Sequence, residues 1–417
     1  MTTTVVVIFL IVYLGMILGG LPFLQLDRTG VALLGAIALI TFDAVGLEEA
    51  AQAVDLPTII LLFSFMVLSA QMRLGGFYDA VTRALGASAL SPPQLLGTLM
   101  AVVAVLSAVF SNDIVCLAVA PVLIHACARR RLDPVPYLLA LACAANIGSA
   151  ATLIGNPQNI LIGQSLRLSF PGYFIEALPP VALGLAAAWA IIAWHTRGRW
   201  SLPDGDVAAS DRLLQNGNDA EAPFDDWQTA KGLTVAAVLL IAFVFAPWPR
   251  EHVALTAAGV LLMSRQLHSS KMLGLVDWEL LVLFIGLFVV NHALQQTGLP
   301  DHVVADLLAA GVDLHHPGPL FASTLVLSNI VSNVPAVMLL LPLATHPLAG
   351  PVLALTSTLA GNLLIVGSIA NIIVVDSASR CGVRIDWHRH ARIGVPVTLA
   401  TLAITAGYLW LRLQMTD

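Results

Sequence analysis

The sequence predicts an all-α polytopic membrane protein of about ten transmembrane helices plus two re-entrant helical hairpins, forming an inverted-topology repeat with two broken helices. Three observations predict it. Of 417 residues, 58% are hydrophobic and only 11% charged, whereas soluble domains carry roughly 25% charged residues. Apolar runs of helix length recur from one end to the other. The same polar interruptions return at corresponding places in the two halves. The net charge of −6 sits in the connections, and no basic tract or phosphate-binding loop occurs, which leaves no case for nucleic acid or nucleotides. Cys116, Cys127, Cys143 and Cys381 have neither disulfide nor metal-ligand spacing, so no metal or other cofactor is expected.

The first run, 5–23, lacks the basic start and small-residue cleavage site of a secretory signal and reads as a retained span. Runs at 30–47 and 57–72 follow. The runs 93–110 and 114–128 are divided only by Ser-Asn-Asp. That pair predicts a hairpin whose polar tip stops inside the membrane, where irregular backbone is tolerated only against protein or a cavity. A long run, 135–165, is interrupted by Gly and Asn, and 172–195, 232–247, 252–266 and 278–296 read as spans. A second close pair, 317–331 and 335–348, is divided by Ser-Asn-Val-Pro; the interrupted run 351–376 and a last span, 393–412, come after it. Lys and Arg collect on the cytoplasmic side. This span count leaves only Arg167, Arg250 and Arg412 on the other side, and it places both termini on the outer face of the plasma (inner) membrane.

The two hairpins match each other. SNDIVCLAVAP at Ser111–Pro121 aligns with SNVPAVMLLLP at Ser332–Pro342, both with Pro at the same spacing from Ser-Asn. Upstream, VDLP at Val54 aligns with VDWE at Val276; downstream, GNPQNILI at Gly155 aligns with GSIANIIV at Gly367. An odd number of spans separates the two copies, which inverts the second. Inverted repeats with interrupted helices mark secondary transporters and place the binding site between the repeats. The expected domains are scaffold helices at 1–53 and a first repeat at 54–196, with its hairpin at about 93–128 and its broken helix at about 135–165. A cytoplasmic linker at 197–230 and connecting helices at 231–275 lead to a second repeat at 276–417, with hairpin at about 317–348, broken helix at about 351–376 and the last helix.

Three features converge at the repeat junctions. Each hairpin tip would expose the free N–H groups of a helix start, and Ser111 with Asn112, and Ser332 with Asn333, are good N-cap residues. The segments around 145–162 and 357–374 meet Gly (Gly148 and Gly155; Gly361 and Gly367) and resume with Asn (Asn159; Asn371), an arrangement expected to unwind the helix and turn amides toward a ligand. Thr152, Asn156, Asn362 and Ser368 would supply further oxygens. The alternative for these polar groups is helix–helix packing. Asp113 is the carboxylate of the first tip, and Val334 stands at its counterpart. An ionisable residue at that depth is functional by default, here as a proton carrier, with a cation ligand or a structural cap as alternatives. His125, His292, His388 and His390 read as interfacial, and Cys116 and Cys143 as small buried hydrophobes.

SNDIVCLAVAPVLI, ANIGSAATLIGNPQNILI, SNIVSNVPAVMLLLPL and GNLLIVGSIANIIV together resemble the signature segments of the ion transporter superfamily. That group takes in the arsenite permeases, the NhaD-type sodium/proton antiporters and the divalent anion symporters with their citrate-transporter-like relatives. The resemblance covers nearly the whole chain and is closest in look to the arsenite-permease branch, through Asn112, Asp113, Leu117 and Pro121 of the first tip and Asn333 to Pro335 of the second. It implies substrate held between the tips and the two broken helices. The residues it selects are Ser111, Asn112, Thr152, Gly155, Asn156, Pro157, Asn159, Ser332, Asn333, Pro335, Gly361, Asn362, Gly367, Ser368 and Asn371, with Asp113 coupling to protons or a cation. Leu364 stands where many relatives have Thr, and the second tip lacks the Ser-Asn-Thr of the dicarboxylate branch.

No Arg or Lys falls in the four motifs, so a polyanion would depend on helix dipoles and a co-bound cation. The expected activity is therefore efflux of arsenite or antimonite coupled to inward proton flow, with H+ rather than Na+ as coupling ion. The alternatives are a sodium/proton antiporter or a sodium- or proton-coupled organic or inorganic anion carrier of the dicarboxylate or citrate kind, and, from another class, a channel of the same fold. An intramembrane enzyme is not expected: HExxH, GxGD and a second intramembrane carboxylate beside Asp113 are missing. The expected partners are a small inorganic or organic anion or oxyacid and the lipid bilayer. The resemblance adds a homodimer and, for the arsenite branch, a soluble ATPase.

Overall fold

The computed structural model describes residues 1–21, 24–201 and 224–416. Most of the expected linker, 202–223 with Arg212, lies outside the described residues. Helix α1 (Thr2–Leu18) ends at Gly19 in the left-handed conformation, and a short strand pair, β1 (Gly20–Leu21) with β2 (Leu26–Asp27), leads to α2 (Arg28–Thr41). Both helices stop sooner than their apolar runs. A short α3 (Leu47–Ala53) precedes the first repeat.

That repeat comprises α4 (Leu56–Leu74), α5 (Phe77–Ala87), the hairpin α6 (Pro92–Val109) and α7 (Asn112–Arg129), the broken helix α8 (Pro134–Ser149) and α9 (Pro157–Ser165), and α10 (Phe170–Thr196). Connecting helices α11 (Asp226–Phe245), α12 (Arg250–Leu262) and α13 (Ser269–Leu273) follow. The second repeat comprises α14 (Trp278–Gln296), α15 (Leu299–Ala309), the hairpin α16 (Pro317–Val331) and α17 (Asn333–Leu340), the broken helix α18 (Ala349–Ala360) and α19 (Ile369–Arg380), and α20 (Trp387–Thr416). Among the described residues, seven helices are long and apolar enough to cross a membrane; the shorter apolar ones include the first half of each broken helix and the second hairpin.

The repeat is legible in its punctuation. Asp55 caps α4 by accepting from the Thr58 N–H at 3.0 Å, and Asp277 caps α14 by accepting from Leu280 at 2.9 Å. Gly76 and Gly298, with φ of 68° and 71°, turn the chain into α5 and α15, a left-handed conformation that glycine adopts without steric cost. These two 11-residue helices were not expected from the apolar runs, because they are too short to span and carry polar residues.

Every residue of α8 and of α18 is buried, as befits helices enclosed by others, whereas α1 and α11 present Leu10, Leu14, Val238 and Ile241 outward to lipid. Gly148 corrects the sequence reading. It lies inside α8 rather than in the break, and a Cβ there would fall 2.3 Å from the Ala104 Cα of α6. The residue serves close helix approach. Gly148→Val is expected to separate α6 from α8, to destabilise the protein by roughly 1–3 kcal/mol or more, and to lower the melting temperature in detergent; an unchanged melting curve would contradict this packing.

The histidines divide. His292 sits at the end of α14, where its Nε2 lies 3.1 Å from Glu49 Oε1 of α3, and that hydrogen bond holds the Glu49 carboxyl below the usual carboxylate range, helped by the Gly46 N–H and Gln296. His390, expected at an interface, is instead buried at 2% exposure, with Nε2 3.2 Å from the Asn362 carbonyl.

Candidate functional site

The first hairpin turns at Phe110 and Ser111, and its tip docks against the break between α8 and α9. The Asn112 N–H donates to the Gly155 carbonyl at 3.3 Å, and the Thr152 hydroxyl donates to the Ala108 carbonyl at 2.5 Å. The tip thus meets the chain at a helix break rather than at a helix end, the arrangement expected of a re-entrant hairpin. Gly155 is required there by proximity: an added Cβ would lie 2.3 Å from the Ser149 carbonyl and 2.8 Å from that of Ser107. The second tip docks likewise, its Asn333 Nδ2 3.3 Å from where a Cβ on Gly361 would sit.

Neither serine hydroxyl caps its helix, contrary to expectation. The Ser111 N–H instead donates to Ser69 Oγ at 3.3 Å. Ser332 ends α16 and begins α17 at φ 77° and ψ 162°, a region that residues with a Cβ rarely adopt and that costs on the order of 1–3 kcal/mol. Such strain is found where a surrounding structure holds it for use.

The two breaks are braced by the same device. Asn159 Nδ2 donates to the carbonyls of Ser149 and Thr152 at 3.4 and 2.9 Å, and Asn371 Nδ2 donates to those of Gly361 and Leu364 at 2.8 and 3.0 Å. Both asparagines were expected to face a ligand. They instead satisfy carbonyls released by the unwinding, since buried backbone groups must be paired.

The halves are then cross-linked by a second symmetric pair. Asn146 of α8 reaches into the second break: its Oδ1 accepts from Ser368 Oγ at 2.9 Å, and its Nδ2 donates to Asn362 Oδ1 at 2.8 Å and Asn371 Oδ1 at 3.4 Å. Thr358, its counterpart in α18, reaches into the first break, accepting from Asn156 Nδ2 at 3.1 Å and Gln158 Nε2 at 3.2 Å while donating to Asn159 Oδ1 at 3.4 Å. Asn146 also accepts from Asn112 Nδ2 of the first tip at 3.2 Å.

Around this network lies a cavity of about 40 Å³. The first repeat contributes Asn112, Asp113, Asn146, Asn156, Pro157 and Gln158, and the second contributes Leu280, Ser332, Asn333, Val334, Gly367, Ser368 and Ile369. Asp113 is the ionisable residue in this lining, and no Arg or Lys joins it. Two acceptors there lack any protein donor, Asn112 Oδ1 and Asn333 Oδ1, and they are counterparts in the two tips.

Half of the expected residues are thus brought together: Asn112, Asp113, Asn156, Pro157, Ser332, Asn333, Gly367 and Ser368 line the cavity. Ser111, Thr152, Gly155, Asn159, Gly361, Asn362 and Asn371 stand behind it, holding tips and breaks. Pro335 lies in the first turn of α17, its carbonyl 3.5 Å from the Tyr13 hydroxyl of α1, which donates at 2.8 Å to Asn291 Oδ1. Asn146, Gln158 and Thr358 were missed as site residues. A usable signal existed for two of them, since Asn146 and Thr358 are polar residues at matching positions of the two repeats.

Comparison with known proteins gives the chain a family and a fold neighbour. The sequence profile described as "Citrate transporter" matches residues 6–360. A transporter of Mycobacterium tuberculosis is 30% identical over 420 residues, covering 93% of this chain and 94% of that protein. A silicon efflux transporter of Oryza sativa is 28% identical over 449 residues, covering 92% of each. A protein of Dictyostelium discoideum that carries the name arsB is 23% identical over 490 residues, covering 91% of this chain and 87% of that protein. Among solved structures, the YdaH transporter of Alcanivorax borkumensis shares the fold with a TM-score of 0.55 at 15% identity, over 99% of this chain and 98% of that one.

Proposed function

This chain belongs to the citrate transporter family, a family of multi-pass membrane transporters, and from that premise we propose that it carries a small hydroxylated oxyacid, arsenous or antimonous acid, outward in exchange for protons. The observation that carries the reading is the pair of unpartnered acceptors, Asn112 Oδ1 and Asn333 Oδ1, in a cavity whose ionisable group is Asp113. Buried acceptors without donors call for a ligand that brings O–H groups. A neutral hydroxide brings them; a fully ionised tricarboxylate brings negative charge to a site without a cation.

Size supports the same choice. A cavity of about 40 Å³ has room for a few water molecules, each needing roughly 10–15 Å³ of such space, and a pyramidal oxyacid asks for a small expansion where citrate asks for a large one. The relatives named for silicon efflux and arsB fit as well, since silicon and trivalent arsenic both dissolve near neutral pH as uncharged hydroxides. In this reading Asn112, Asn156, Ser332, Asn333 and Ser368 contact substrate, and Asp113 binds the proton that returns the empty site.

One observation favours a second reading. Two amide oxygens and a carboxylate also suit a bare cation, which would make the protein a sodium/proton antiporter. Expression in a host sensitive to both stresses separates the two: the proposal expects protection against arsenite and none against sodium or lithium, and the reverse pattern would overturn it.

A further inference from the structure

Away from the transport site, a cavity of about 260 Å³ opens where the start of α8, the end of α10 and the start of α20 meet. Arg199, Arg389 and Arg392 converge on it together with His195, and its apolar side includes Leu139 and Ile393. The one carboxylate in the lining, Asp133, caps α8 by accepting from the Val135 N–H at 3.0 Å. Among the described residues none of the three guanidinium groups has an ion-pair partner. Arg199 donates to the His195 carbonyl at 2.7 Å, Arg389 donates to the Arg384 carbonyl at 3.1 Å, and Arg392 makes no hydrogen bond.

Three permanent positive charges facing one concavity repel one another unless an anion lies between them. Trp194 of α10 and Trp387 of α20, 73% and 48% exposed, flank the same helix ends. Exposed tryptophans at helix ends mark the depth of the lipid headgroups. At that depth, basic pockets between membrane helices take anionic headgroups, and guanidinium forks match phosphate oxygens.

We infer that this cavity is a phosphate-binding site filled by the headgroup of an anionic phospholipid, with Arg199, Arg389 and Arg392 on the phosphate and Leu139 and Ile393 against the start of an acyl chain. Native mass spectrometry of the whole protein with phosphatidylglycerol, phosphatidylcholine or inorganic phosphate tests it. The wild type retains phosphatidylglycerol over phosphatidylcholine, and Arg389→Ala with Arg392→Ala weakens that retention at least about tenfold. Arg380→Ala with Arg384→Ala, the same loss of charge outside the cavity, leaves it unchanged. Should the first double variant not fold, Arg199→Ala on the other helix gives the same readout. Inorganic phosphate binding without phosphatidylglycerol would overturn the lipid assignment in favour of a soluble anion, and equal retention by all variants would overturn the site.

Discussion

Asp113→Asn is expected to abolish pH-driven transport, by at least about a hundredfold, while leaving substrate exchange across the membrane measurable. Asp113 opens the first turn of α7, lines the cavity, and its carboxylate makes no hydrogen bond among the described residues. Its counterpart in the second tip is Val334, so the asymmetry that a proton-coupled carrier needs rests on this one side chain. The charged neighbour acting on it is Asp277, at the head of α14. An amide keeps the volume and a hydrogen-bonding face but carries no titratable proton, which removes the only group in the cavity that can do so. Counterflow of arsenite in vesicles at equal pH, beside uptake driven by a pH gradient, separates the two functions. Gradient-driven rates equal to wild type would remove Asp113 from the coupling.

Asn146→Ala is expected to have the second largest effect. The side chain joins the first hairpin tip to the second break through partners Asn112, Ser368, Asn362 and Asn371. Its removal leaves two donors and two acceptors unpaired in a buried setting, each costing about 1–3 kcal/mol, though neighbouring losses do not add. A fall in stability of a few kcal/mol and a transport rate at least about tenfold lower should follow. Thr358→Val, which keeps shape and removes one hydroxyl, should cost less, because Asn156 and Asn159 retain other partners. Melting curves and arsenite exchange rates for the two variants check this order, and wild-type behaviour of Asn146→Ala would mean that the network does not hold the halves together.

Much of the fold was legible because lipid imposes strict patterns. Apolar length gives the spans, the Ser-Asn tips repeated at Ser111 and Ser332 give the hairpins, and the odd number of spans between the copies gives the inversion. The site was legible in place and only partly in roles. An asparagine in an apolar run announces that an amide must be satisfied, but not whether backbone or ligand satisfies it. Asn159 and Asn371 bond their own broken helices, whereas Asn112 and Asn333 keep an oxygen free. Gly148 and Gly155 look alike in sequence and differ in structure because only the neighbouring backbone, Ala104 in one case and Ser149 in the other, distinguishes packing from unwinding. His390 reads as interfacial from its place at the edge of an apolar run; in the fold its Nε2 meets the Asn362 carbonyl, contributed from the second break.

The central claim is that the cavity between the two tips carries a small neutral oxyacid against protons. Proteoliposomes with an acidic lumen test it most directly, since exchange lets outward proton flow drive the oxyacid inward whichever way the protein is inserted. The expected result is saturable arsenite accumulation that collapses with a protonophore and is not competed by citrate. Accumulation of citrate instead, or arsenite flux that neither saturates nor responds to the gradient, would contradict it.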